Sequence, residues 1–300
     1  MNVADIEKLE KLAKLVRYYI LRMSTKAGSG HPTSSLSAAD LMTALFFGHL
    51  KSDDRVIFSK GHASPLLYAL YAAGGELSEK EIDTYRQFGS VLEGHPSPRF
   101  KFVDVATGSL GQGLSIGVGM AVAARIAGPA ARTARGPVTG FLPASTRSSG
   151  KSKGDQQNSV ELRAVGNPPS GATPRANTLS KVYVLMGDSE VAEGSVWEAI
   201  QIASYYKLNN LVGIIDVNRL GQSTTTMLEW DTQTYAKRVG SFGWEPLVID
   251  GHNMKAINQA LAKAAKSKKP VMIIAKTIKG KGLSFLENKE GWHGKALSEE

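Results

Sequence analysis

The sequence predicts an α/β fold, a mainly parallel sheet flanked by helices, on three observations. Short runs of Val, Ile and Leu alternate along the chain with stretches whose apolar residues recur at helical spacing, which is the signature of βα units. The runs end in turns rich in Gly, Asp, Asn and His. Thirty-one glycines among 300 residues suit a protein with many tight loops.

Residues 4–27 carry Leu9, Leu12, Leu15, Val16, Tyr19 and Ile20 along one stripe, which predicts an amphipathic helix. Gly28-Ser29-Gly30 stops it and lets the backbone approach a ligand, with His31 and Pro32 following. Ser35 or Ser37 is placed to cap a second helix over residues 38–50, whose buried side is Leu41, Leu45 and Phe46. A strand over 55–59 leads into Lys60-Gly61-His62, and His62 could equally cap a helix over 63–73. Ser78-Glu79-Lys80-Glu81 is a capping box opening a helix over 78–88. Glu93-Gly94-His95-Pro96 is a third Gly-His turn. Thr107-Gly-Ser-Leu-Gly-Gln-Gly113 then opens a small-residue helix over 114–126, and its backbone N–H groups suit anionic oxygen.

Periodicity disappears over residues 128–180, where Pro129, Pro137, Pro143, Pro168, Pro169 and Pro174 sit among Gly, Ser and Arg. This composition predicts a low-complexity, disordered basic insertion within a single domain spanning 1–300. It holds seven basic residues against Asp155 and Glu161, so +5 of the formal charge of +9 resides there. The remaining +4 fits phosphorylated small molecules without demanding a polyanion, and the basic run lacks the aromatic interleaving of a nucleic-acid surface. A cysteine count of zero excludes a disulfide framework. No amino-terminal apolar run suggests a leader or a membrane span, so the expectation is a cytoplasmic chain with neither nucleic-acid nor membrane partners.

The stretch from 181 to 220 organises the rest. Residues 181–186 read as a buried strand ending in Gly187-Asp188-Ser189-Glu190, 194–207 as a helix with Val196, Ile200, Ala203 and Tyr206 on one face, and 211–215 as a second strand ending in Asp216-Val217-Asn218. Ligands of open parallel sheets lie beyond the carboxyl ends of strands, which is where Asp188 and Asn218 fall. A carboxylate, an amide oxygen and a backbone carbonyl such as that of Leu220 form a hard, incomplete oxygen shell, of the kind Mg²⁺ uses when a phosphate completes it. Taken alone, the pair is equally readable as a polar strand end and a turn amide. Beyond it, residues 235–242 and 254–267 read as helices, and 247–249 and 271–275 as strands.

Gly187-Asp188 through Asn218-Arg-Leu-Gly-Gln-Ser223 resembles the thiamine diphosphate fingerprint, and Glu193-Gly-Ser-Val-Trp-Glu-Ala199 narrows the resemblance to the transketolase family. The likeness extends through Gly28-Ser-Gly-His-Pro-Thr33, Ser59-Lys-Gly-His62, Glu93-Gly-His-Pro96, Ala106-Thr-Gly-Ser-Leu-Gly-Gln-Gly113, Ile274-Ala-Lys-Thr-Ile-Lys-Gly280 and Trp292-His-Gly294, but skips 128–180. It implies a thiamine diphosphate-binding fold of the pyrophosphate (PP) type covering the amino-terminal half of a transketolase.

By the same resemblance Asp188, Asn218 and the Leu220 carbonyl hold Mg²⁺, or another divalent cation such as Ca²⁺ or Mn²⁺. Ser34, His62, Gly108, Ser109, Leu110, Ser189, Glu193, Asn218 and Lys279 contact thiamine diphosphate, and His31, His62, His95 and His293 serve the sugar chemistry. Ser189 replaces the glycine often found after the metal aspartate, a small change that leaves its backbone N–H available. Glu193 and Glu198, five apart on adjacent helix faces, match family glutamates at a dimer contact.

The implied activity is reversible transfer of a glycolaldehyde unit between sugar phosphates in the pentose phosphate pathway. Histidines are suited to moving protons near neutral pH and stabilising a developing oxyanion. The family's cofactor lies between two domains, so a carboxy-terminal subunit is the expected partner, in a homodimer or heterotetramer. The alternatives are a non-catalytic or truncated cofactor-binding half, or a related thiamine diphosphate enzyme such as deoxyxylulose-phosphate synthase or dihydroxyacetone synthase. A nicotinamide-binding fold is disfavoured, because no Gly-x-Gly-x-x-Gly follows the first strand.

Overall fold

A computed structural model describes residues 3–127 and 180–298. Its helices are α1 (Val3–Lys26), α2 (Pro32–Ser37), α3 (Ala39–Ala44), α4 (Ser64–Ala73), α5 (Glu79–Ile82), α6 (Gln112–Ala127), α7 (Gly194–Tyr205), α8 (Thr232–Ser241) and α9 (Met254–Lys266). The strands are β1 (Arg55–Phe58), β2 (Val182–Gly187), β3 (Leu211–Val217), β4 (Glu245–Asp250) and β5 (Val271–Lys276), all parallel, in the order β1-β2-β3-β5-β4. Parallel neighbours require crossovers, and α7, α8 and α9 supply those between successive strands from β2 to β5.

Alternation along the strands divides the interior into two cores. Tyr183, Leu185, Val212, Ile214 and Ile273 pack with α1, α3, α4 and α9, while Val182, Val184, Met186, Ile215 and Ile274 pack with α6, α7 and α8. Both faces of the sheet are therefore buried, which is why its central strands read as unbroken apolar runs rather than alternating ones.

Helix α6 crosses one face from the carboxyl edge of the sheet to the amino edge. Gly113 in its first turn lies against Ser59, just past the end of β1, while the Ala121 carbonyl accepts a hydrogen bond from Asn210 Nδ2 at 3.0 Å, immediately before β3. Midway, a Cβ at Gly117 would lie 2.6 Å from Val184 Cγ2. Gly117→Val is accordingly expected to overpack this contact and destabilise the fold by about 2 kcal/mol, read as a lower urea midpoint at unchanged slope.

Several expectations are corrected. The single helix over 38–50 is instead α3 and a π-helical turn at Leu45–His49, and the serines expected to cap it, Ser35 and Ser37, lie inside a separate α2 that starts at Pro32. Ser37 caps no helix: its hydroxyl donates to Asp216 Oδ2 at 2.6 Å, with the Ser34 carbonyl 3.0 Å away as the alternative acceptor. His62 is no cap either, since it sits in a 3₁₀ turn at Gly61–Ala63 ahead of α4. The Ser78–Glu81 capping box forms, but α5 stops at Ile82, and Arg86 adopts a φ of 61°, which is incompatible with continuing the helix. Strand β3 runs to Val217, so Asp216 lies inside it. The insertion expected over 128–180 falls outside the described residues apart from Ser180.

Candidate functional site

The carboxyl edge of the sheet holds a cavity of about 270 Å³. Strand β1 delivers Lys60 and His62 to it, β2 delivers Gly187, Asp188, Ser189 and Glu190, β3 delivers Asn218 and Leu220, and the segment after β5 delivers Lys279. His31 and Ser34 enter at the start of α2, His95, Gly108 and Leu110 from the loops before α6, and His293 from the chain's last described segment. The sequence-predicted residues thus meet in one place, with two exceptions. Ser109 does not line the cavity, and Glu193 is an exposed residue beside it, its Cβ within 2.8 Å of where a Cβ on Gly111 would lie.

Beneath the cavity lies a buried charged network that local sequence patterns do not reveal. Asp216 is fully buried and accepts hydrogen bonds from Lys60 Nζ, the Ser37 and Thr277 hydroxyls, and Asn218 Nδ2 at 3.3 Å. Burial alone would raise its pKa, but the Lys60 charge and hydrogen bond outweigh burial and hold it below the usual carboxylate range. An ionised carboxylate only accepts, so it fixes the Asn218 amide with nitrogen toward Asp216 and oxygen available elsewhere, where it also receives the Leu220 N–H at 3.2 Å.

Asp188 presents a different case. It is 4% exposed, and its oxygens accept from the Ser189 N–H at 3.0 Å, the Arg219 N–H at 2.8 Å and the Thr226 hydroxyl at 3.1 Å. Among the described residues no cationic side chain pairs with it. Burial, reinforced by the neighbouring Asp216 charge, pushes its pKa up to about 7. A buried carboxylate without a counter-ion, next to an amide oxygen and the Leu220 carbonyl, fits a divalent cation with oxygen preference. Among the described residues no group of three or more His, Cys, Asp or Glu is placed to hold a metal, so such a cation would depend on this mixed donor set and on oxygens from a ligand. Lys279 Nζ donates to the Leu220 carbonyl at 3.0 Å and the Gly221 carbonyl at 2.9 Å, and lies 2.9 Å from His293 Nδ1. The Leu220 carbonyl retains a second lone pair.

Three imidazoles cluster: the His31 and His62 ring centres are 5.1 Å apart, His31 and His293 4.9 Å, and His62 and His293 5.4 Å. All are held neutral near pH 7. Burial, with the nearby His95 and Arg86 charges, lowers His31 to about 4; burial and the Lys279 charge lower His293 to about 3; burial and Lys60 hold His62 well below its ordinary value. His95 is lowered by burial and Arg86. Because Lys279 is a donor, His293 Nδ1 accepts, leaving the proton on Nε2. The His31 Nδ1 atom is buried and, among the described residues, has no hydrogen-bond partner. Burial and the Lys60 charge bring Lys279 itself down to about 8.

These shifts carry a stability prediction. With folded values below 6.5, the unfolded chain takes up protons first as pH falls, so the imidazoles cost stability progressively from about pH 6.5 to about pH 3. Asp188 and Glu190, raised by burial, act in the opposite sense. The test is therefore differential: Tm of a His62→Gln/His293→Gln variant should fall less between pH 7 and pH 4.5 than that of wild type, and an equal fall contradicts the assignment.

The family model described as the transketolase, thiamine diphosphate binding domain matches residues 9–139 and 172–300. The chain belongs to the transketolase family. Its similarity to human transketolase is 40% identity over 98% of this chain and 41% of that one. Against one of the subunits of the apulose-4-phosphate transketolase from Phocaeicola vulgatus the identity is 34%, over 96% of this chain and 89% of that one. The crystal structure of Campylobacter jejuni transketolase superposes with a TM-score of 0.77 at 32% identity, over 99% of this chain and 41% of that one. The chain thus spans about two fifths of the length of the full transketolases it matches, and nearly the whole of the Phocaeicola relative. The unmatched stretch is 140–171, narrower than the 128–180 expected from composition.

Lys60, Glu190, Asp216 and Gln222 were not foreseen as site residues. A signal for Asp216 existed, since a carboxylate inside an otherwise apolar buried strand needs a partner. Lys60 stands in the Ser59-Lys-Gly-His62 motif, but its side chain reaches Asp216 across 156 positions in sequence, which spacing alone does not reveal. Among the described residues no helix is long and apolar enough to cross a membrane.

Proposed function

We propose that this chain is the cofactor-diphosphate half of a transketolase, and that with a carboxy-terminal partner subunit it transfers a two-carbon glycolaldehyde unit from a ketose phosphate to an aldose phosphate. The observation that carries the reading is the convergence of Asp188, Asn218, the Leu220 carbonyl, Lys279 and four histidines on one cavity at the carboxyl edge of the sheet. The nearly full-length similarity to a relative named as a subunit supports the two-chain form.

In this reading Asp188, Asn218 and the Leu220 carbonyl hold Mg²⁺, with Ca²⁺ or Mn²⁺ as substitutes. Ser34, His62, Gly108, Leu110, Ser189 and Lys279 embrace thiamine diphosphate, and Glu193, at the rim, contacts the neighbouring subunit of a homodimer or heterotetramer. Bound thiamine diphosphate would supply an electron sink for carbon–carbon cleavage. The protein's own contribution is positional and protonic. His31, His62 and His95, neutral at pH 7, can each donate one proton and accept one, which suits hydroxyl groups passing to and from carbonyls, while His293, whose Nδ1 accepts from Lys279, offers its Nε2 proton. The Lys279 ammonium, the His293 Nε2 proton and their buried surroundings favour negative charge developing on a substrate oxygen.

Mixing the purified chain with a candidate carboxy-terminal subunit, thiamine diphosphate, Mg²⁺, a ketose phosphate and an aldose phosphate is expected to give turnover that requires every component. Cofactor binding without turnover in that mixture would instead identify a non-catalytic binding half.

A further inference from the structure

Glu190 follows Asp188 by two positions yet performs a task the proposed function does not use. It is 1% exposed, and three separate parts of the chain donate to its carboxylate. The Ser59 hydroxyl, just past β1, reaches Oε1 at 2.5 Å; the Gly111 N–H, in the loop before α6, reaches Oε1 at 2.9 Å; the Gly187 N–H, closing β2, reaches Oε2 at 2.8 Å. Ser59 Oγ in turn accepts the Gly113 N–H at 3.2 Å. The loop is closely fitted as well. Gly111 adopts a φ of 86°, and a Cβ there would lie 2.8 Å from Glu193 Cβ, while one at Gly113 would lie 2.4 Å from Ser59 Cβ.

We infer that Glu190 is the positioning residue that fastens the 108–113 loop to the ends of β1 and β2, so that Gly108 and Leu110 form a fixed wall of the cavity. The loop's own conformation requires such a fastening. Gly108, Ser109 and Leu110 are exposed, Gly111 occupies the left-handed region, and the only buried hydrogen bond held by the Gly111 N–H among the described residues is the one to Glu190. A carboxylate is the group that can do this with all three donors at once. Glutamine has the same shape but must direct its amide N–H₂ at Gly187 N–H or at the Ser59 and Gly111 pair, setting donor against donor in a buried place.

The inference rests on the proposed function for its ligand: a pre-set wall lets the loop's backbone meet the cofactor's diphosphate without first being ordered. It predicts that E190Q in the full chain exchanges its Gly111 and Gly113 amide hydrogens at least about tenfold faster, with the amides of β3 and of β2 ahead of Gly187 unaltered. It also predicts affinity for thiamine diphosphate with Mg²⁺ about tenfold weaker by calorimetry. A merely structural residue would loosen β2 and β3 together with the loop, and that outcome overturns the inference. So does a folded E190Q with unchanged loop exchange. Faster loop exchange with unchanged affinity overturns the link to the cofactor. Failure of the wild-type chain to bind thiamine diphosphate and Mg²⁺ sinks the proposed function instead, and loop exchange then decides the role of Glu190 alone. Should E190Q not fold, Ser59→Ala removes one donor to Glu190 and the acceptor of Gly113, and must show the same pattern at about threefold; unchanged exchange there refutes the fastening.

Discussion

Asp188→Ala is expected to abolish Mg²⁺-dependent binding of thiamine diphosphate, with a loss on the order of 100-fold or more, while the chain remains folded. Outer-shell partners of a metal are worth about 10–100-fold in affinity, so a ligand that carries the only carboxylate of the set should cost at least the upper end. The same change should leave the Tm of the unliganded chain level or higher. Asp188 is a carboxylate held in the interior without a counter-ion, and its pKa of about 7 lies above its unfolded value. Its favourable contribution is thus complete only below about pH 4 and is lost as pH rises through 7. A residue kept for stability behaves in the reverse manner. Calorimetric titration with cofactor and Mg²⁺, beside thermal melts without them, checks both halves; unchanged affinity refutes the metal assignment.

Much of this was legible because periodicity and turn chemistry are local. The strands around Val184 and Ile214 and the helices from Gly194 and Met254 follow from residues close in sequence, whereas the meeting of His31, His62, His95 and His293 was implied only by the family resemblance. What escaped depends on distant partners. Nothing near Ser37 indicates that its hydroxyl belongs to Asp216, 179 positions away, and so it read as a helix cap. Nothing near Lys60 distinguishes a solvated lysine from one that is 1% exposed. The early stop of α5 has the same origin, since the chain turns there to bury Tyr85 beneath Tyr68, with ring centres 6.0 Å apart, against the helical tendency of residues 83–88.

Lys60→Met should give the largest loss of stability. It strips the ammonium from a carboxylate that is 0% exposed, and breaking a buried pair from one side costs about 3–5 kcal/mol because the remaining charge has no solvent. Ser37, Thr277 and Asn218 still donate to Asp216, which places the expectation toward the lower end. Adding Asp216→Asn should restore part of the loss, since a neutral amide tolerates the apolar neighbour that a carboxylate does not. Urea unfolding of both single variants and the double variant measures the coupling. Additive effects would show that the two groups do not depend on each other.

The course of α6 has an outcome for how this chain can vary. Its last described residue, Ala127, and the start of β2 at Val182 both stand at the amino edge, the full height of the sheet away from the histidines. A substitution at either of these two points would therefore leave in place the wall, the charges and the imidazoles of the cavity.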